Sequence, residues 1–184
     1  MPKFTDLRLP KLFKLLTLML LAIAAAGCSV MDRTRSAVQL DAGAKWVILP
    51  MANHTETPQA GLRAEVILES LLRQRGVQTL VHPPALPAAD LMGDLPDRKV
   101  QQDAQRWAAE QGIRYALTGA VDEWRYKVGV DGEPAVGLVL QVIDLGSGDV
   151  VWTATGARSG WSREALSAVG QKLMRDLLGD LALR

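Results

Sequence analysis

The cysteine of this 184-residue chain, Cys28, closes a long apolar run in LAIAAAGCSV (21–30), and it has no second thiol to pair with. A free cysteine is ordinarily a small buried core residue. Its surroundings argue otherwise. Lys3, Arg8, Lys11 and Lys14 form a basic stretch, and residues 15–26 are apolar. That is the layout of a secretory signal, and the apolar part is short for a membrane span.

Ala25-Ala26-Gly27-Cys28 resembles a bacterial lipobox, although leucine is commoner than Ala25 at its place. The resemblance implies diacylglycerol on the thiol, cleavage before Cys28 and N-acylation of the new terminus. A plain cleaved signal and a retained anchor are the alternatives. Ser29 stands where an aspartate would retain a lipoprotein in the inner membrane, so the sorting rule implies the periplasmic face of the outer membrane. With Cys28 acylated, no disulfide is available in that oxidising compartment.

The organisation expected is a signal peptide over 1–27, a lipidated N-terminus and tether over 28–43, and a single α/β periplasmic domain over 44–184. Fully extended, such a tether reaches roughly 50 Å. The chain has 21 basic and 20 acidic residues; losing four basic residues and Asp6 with the leader leaves 17 against 19. No basic stripe survives, which argues against nucleic acid as a partner.

Residues suited to catalysis are sparse. His54 in MANHTETP and His82 in LVHPP each follow a strand candidate, where α/β sites gather, but neither has a nucleophile beside it in sequence. There is no G-x-S-x-G, G-x-G-x-x-G or H-E-x-x-H, and Gly146 and Gly148 flank a hairpin turn rather than a helix start. No catalytic residue, metal site or cofactor is therefore expected, apart from the lipid on Cys28. Acidic residues are more numerous: Asp90, Asp94 and Asp97 between the second strand and second helix, and Asp122, Glu123, Asp131 and Glu133 along a hairpin. They are a solvated surface or, together, a weak attractive field for a cationic polymer. Trp161 in RSGWSRE falls in a turn, where an indole either folds back into the core or projects toward a membrane interface.

The elements that must position these residues follow from periodicity. Lys45–Met51 is a compact apolar strand, and Thr57-Pro58 is an N-cap signal. The helix after it, to about Arg75, carries Ala64, Ile67, Leu68, Leu71 and Leu72 on one face. VQTLV is a second strand, and residues 97–111 are a second helix. Residues 114–130, 135–144 and 150–158 are strands joined by tight turns. Ser162 can cap a last helix with Leu166, Val169, Leu173, Leu177 and Leu181 as its core stripe. The order β-α-β-α-β-β-β-α predicts a mixed five-stranded sheet, parallel in its first half and an antiparallel meander in its second, packed by three helices. Trp46, Trp107 and Trp152 fall at positions where burial is expected.

The lipobox, WVILPMANHTETPQAGLRAE (46–65), DLGSGDVVW and SGWSRE together resemble the PelC family, outer-membrane lipoproteins of the Pel exopolysaccharide export system. The resemblance implies a dodecameric ring on the inner face of the outer membrane. That ring would sit below the β-barrel porin PelB and guide a cationic amino-sugar polymer through an electronegative mouth. It makes Trp161 the membrane-facing residue, and Asp131, Glu133, Asp90, Asp94 and Asp97 the candidates for guiding polymer. A monomeric activator of a periplasmic cell-wall synthase and a curli-type secretion subunit are the other readings. The absence of a barrel-like alternating hairpin disfavours the latter.

Overall fold

The computed structural model describes residues 13–17, 29–33, 38–84, 97–128 and 132–184. The elements run β1 (Ser29–Arg33), β2 (Lys45–Ile48), β3 (Ala52–Asn53), α1 (Ala60–Gln74), β4 (Thr79–Val81), α2 (Asp97–Glu110), β5 (Tyr115–Tyr126), β6 (Pro134–Asp144), β7 (Val150–Ser159) and α3 (Leu166–Leu178). Among the described residues the sheet has seven strands in the order β1-β7-β6-β5-β2-β4, with β3 beside β5. β2 is parallel to β4 and β5, whereas β5, β6, β7 and β1 are antiparallel neighbours, as helical crossovers and hairpins dictate.

Alternation along the strands divides the interior. Trp46, Ile48, Leu117, Trp124, Leu138, Leu140 and Trp152 face α1 and α3, whose Leu68, Leu72, Leu173 and Leu177 meet them in the main core. Val47, Leu49, Ala116 and Ile143 face the other way, against Ala104 and Ala108 of α2. Trp124 packs where α3 carries Gly170: a Cβ there would lie 2.7 Å from the indole. Trp107 is only half-buried at the edge of the smaller core.

Four expectations are corrected. The sheet exceeds five strands because β3 has two residues and β1 turns Met31 to the core between exposed Val30 and Asp32, so neither carries a visible period. Residues 28–43 are not a loose tether throughout. Ser29–Arg33 pairs with β7, and Leu40 is buried, exchanging hydrogen bonds with the C-terminal residues Ala182 (2.9 Å) and Arg184 (3.1 Å). Thr57 is not the N-cap of α1: its hydroxyl donates to the Trp124 carbonyl, and the helix begins after Gln59 in a left-handed conformation. Ser162 is not the cap of α3 either, because a turn through Arg163 (φ 71°) delays the helix to Leu166.

Pro50 ends β2, since it has no N–H to donate, but the chain stays beside β5. Leu49 N–H donates to Leu117 O (2.9 Å), β3 resumes the pairing, and His54 N–H reaches Val121 O (2.9 Å). This broken strand carries His54 to the far half of β5.

Candidate functional site

One end of the sheet carries several of the large apolar residues left in solvent, Trp161 and Tyr126 among them. β7 terminates at Ser159, and Gly160 N–H donates to Pro134 O (2.8 Å), tying the Trp161 turn to the start of β6. A Cβ on Gly160 would lie 2.4 Å from Val169, so this approach needs glycine. Glu164 closes the turn twice. Its carboxylate accepts from Trp161 N–H (3.2 Å), and its own N–H donates to Trp161 O (2.9 Å). Lys172 donates to the same carboxylate at 2.6 Å, and that hydrogen bond leads in holding the Glu164 carboxyl below its ordinary range. The Tyr126 hydroxyl donates to Glu164 O (3.2 Å) and accepts from Leu166 N–H (3.2 Å). The turn is thus tied from both sides, while the indole it presents is 59% exposed. Of the two sequence readings of Trp161, burial in the chain's own core is overturned.

At the same end stand Tyr126, the last residue of β5, and Val128 in the turn after it, 49% and 101% exposed. Lys127, between them, donates to the Ser159 hydroxyl at 2.7 Å, which fixes the two turns side by side. Sequence reading misses both residues. A valine in the turn-rich stretch YKVGVDGEP is the available signal.

The register of β1 adds a second feature to this end. Ser29 lies opposite Arg158, and Val30, 73% exposed, opposite Ala157. β1 is antiparallel, so its first residue is level with the last residues of β7, just before Gly160 and Trp161. Cys28 is the residue before Ser29 in the sequence.

The other site candidates are dispersed. Cys28, Asp90, Asp94 and Asp131 lie outside the described residues, and Asp97 opens α2. Glu133 is exposed, and its carbonyl accepts from Lys127 N–H (2.7 Å), beside the Trp161 end. His54 Nδ1 is 2.8 Å from Asp122 Oδ1, with both side chains about half exposed. The pair borders an open cavity of about 700 Å³ that Glu56, Thr57, Glu123 and Arg125 also line. His82 lies elsewhere, 3.0 Å from Glu69 on α1. Among the described residues no cluster of three or more His, Cys, Asp or Glu is arranged for a metal ion, and no helix is long and apolar enough to cross a membrane.

This fold, a single mixed sheet with helices on both faces, places the chain in a class of small α/β domains. Lipoprotein GNA1162 from Neisseria meningitidis superposes with a TM-score of 0.51 at 15% identity, covering 76% of this chain and 98% of that one, a likeness of fold. No protein-family model matches the sequence, and no curated protein matches it. Two solved structures go further. A PelC dodecamer from Paraburkholderia phytofirmans, a variant with one leucine replaced by methionine, is 41% identical, with a TM-score of 0.73, over 85% of this chain and 100% of that one. A second PelC dodecamer from the same organism is 40% identical, with a TM-score of 0.71 and the same coverage. The chain belongs to the PelC family.

Proposed function

We propose that this protein is a lipid-anchored component of Pel exopolysaccharide export, assembled as a ring on the periplasmic face of the outer membrane. There it guides a cationic polymer into the PelB porin and catalyses no reaction. The observation that carries the membrane part is the β1 register, which brings the residue after Cys28 level with the exposed Trp161 turn. Anchor and indole then meet one bilayer. Trp161, Tyr126 and Val128 form its apolar contact, and Lys127 and Arg163 stand beside anionic headgroups. The dodecameric state of the PelC relatives supports the ring.

Cys28→Ser tests the anchor. Each buried CH₂ of an acyl chain contributes about 0.8 kcal/mol to membrane binding, so losing all of them moves the protein to the soluble periplasm. Membrane fractionation and secreted polymer are the readouts, and both are expected to fall while the melting temperature holds. A serine variant that stays with the outer membrane and sustains secretion overturns the reading.

A further inference from the structure

The N-terminal segment is held at two places, at opposite ends of the sheet. Leu40 is buried and bonded to Ala182 and Arg184, and the next carbonyl, that of Asp41, accepts from the Trp46 indole N–H (3.0 Å). Trp46 pairs with Tyr115, where β5 begins, and Tyr115 pairs with Asp144, where β6 ends. This is the end away from Trp161, separated from it by β7, whose ten residues span about 33 Å. β1 is the second hold. It runs antiparallel along β7 and brings Ser29 opposite Arg158, at the Trp161 end.

The two holds differ in strength. Leu40 belongs to the main core, whereas β1 is an edge strand paired only with β7. Ser29, Val30 and Asp32 are exposed, and Met31 packs partly buried against the core. Its seat is specific. Met31 stands opposite Gly156, where a Cβ would lie 3.1 Å from Met31 Cγ, 3.1 Å from Leu173 and 3.0 Å from Leu177. The missing Cβ leaves the space on which Met31 and α3 converge. A strand with one-sided pairing and one seated side chain lies at the low-stability end of a fold, where local opening precedes global unfolding.

We propose that β1 is an orienting strap. Docked on β7, it leads the acylated N-terminus to the Trp161 end; released, it leaves the body tied to the bilayer from Leu40, at the opposite end. The proposal rests on acylation of Cys28 as read above. The twelve residue steps from Cys28 to Leu40 reach roughly 40 Å when fully extended. With β1 docked, that length is taken up between the two ends of the sheet, and no slack lets the body turn over. With β1 released, it becomes a leash at the far end, and either end of the sheet can meet the bilayer. The docked strap thus raises the effective concentration of the Trp161 indole at the membrane. By linkage, an inserted indole favours the docked strap in return.

The test uses the full mature, acylated chain carrying Ser147→Cys, the thiol left for a dye once Cys28 is acylated. Ser147 is exposed in the β6–β7 turn, at the Leu40 end. On phosphatidylcholine vesicles with an acceptor dye on the headgroups, this parent is expected to show weak energy transfer. Met31→Asp charges the seat and Met31→Gly empties it, and each is expected to raise transfer severalfold. Met31→Leu refills the seat and should match the parent. Transfer in both releasing variants as weak as in the parent overturns the strap, and so does strong transfer in the parent itself. Acyl-free Met31→Asp and Met31→Gly domains should melt within a few degrees of wild type. A collapse of both would make β1 an integral core strand and overturn the proposal. Vesicle flotation reads the anchor separately: a parent chain that does not float overturns the acylation reading, and the strap with it.

Discussion

Trp161, in the turn before α3, and Trp124, on β5 against α3, differ in what truncation removes. Trp161 is 59% exposed above a turn held by backbone bonds and Glu164, so alanine there deletes little packing. The melting temperature of the acyl-free domain should shift by no more than a surface substitution allows, about 0.5 kcal/mol, while binding to phospholipid vesicles falls. Trp124 is 1% exposed and lies against Gly170, so Trp124→Ala should cost about 3–5 kcal/mol, seen as an early melt. A strongly destabilised Trp161→Ala protein would contradict the docking role. Glu164 gives the same corner a pH dependence. Its folded-state pKa is lowered from 4.5, first by the Lys172 hydrogen bond. A depressed carboxyl stabilises the fold above its unfolded value, and that contribution disappears as pH falls through the folded value. Glu164→Gln should therefore flatten the loss of stability below about pH 4.5, measured as melting temperature against pH. An acid limb as steep as wild type would show that the pair contributes nothing.

The helix–strand junctions decide what can be read from sequence, and α1 illustrates why. Its second turn is pinned to the segment between β2 and β3: Glu65 accepts from Met51 N–H at 2.9 Å, and burial raises the Glu65 carboxyl above 4.5. A raised carboxyl binds more protons folded than unfolded, so stability falls as pH rises through the folded value. Glu65→Gln keeps an acceptor for Met51 and removes that charge. It should raise the melting temperature at pH 7, with the gain shrinking toward about pH 4.5. Equal gains at both pH values would place the effect elsewhere. None of this is visible in the sequence, because a glutamate one turn into an amphipathic helix reads as solvated. Strong periods are legible: leucines mark α1 and α3, and alternation with glycine turns marks β5 to β7. Long-range pairing is not. β1 turns one partly buried side chain, Met31, toward the main core, so nothing in SVMDR distinguishes it from a linker. The Thr57 hydroxyl is likewise diverted from capping by a carbonyl 67 residues away. At the site, Cys28 and Trp161 are singled out by their neighbours in sequence, whereas Tyr126 joins the same surface through its bonds to Glu164 and Leu166, and Val128 through the adjoining Lys127–Ser159 contact.

At the scale of the whole molecule, the strand ends and the sheet faces carry different surfaces. One end of the strands carries exposed Trp161, Tyr126 and Val128, while α1 and α3 pack on one face of the sheet and α2 on the other. In the proposed export role the Trp161 end faces the bilayer, and Glu133 lies at that same end, its carbonyl accepting from Lys127 N–H. That position separates two effects of one substitution. Glu133 is exposed next to Lys127. Glu133→Lys exchanges a negative charge for a positive one at the bilayer end, which should increase binding to vesicles containing anionic phospholipid. The same change opposes a cationic polymer, so capture of partly deacetylated amino-sugar chains should fall. Both are screened interactions of exposed groups, and both should shrink as ionic strength shortens the Debye length from about 10 Å at 0.1 M to about 3 Å at 1 M. Raised vesicle binding with unchanged polymer capture at low salt would assign Glu133 to the lipid side alone. The attractive surface for polymer would then move to the acidic margin of the His54–Asp122 cavity, where Glu56 and Glu123 lie.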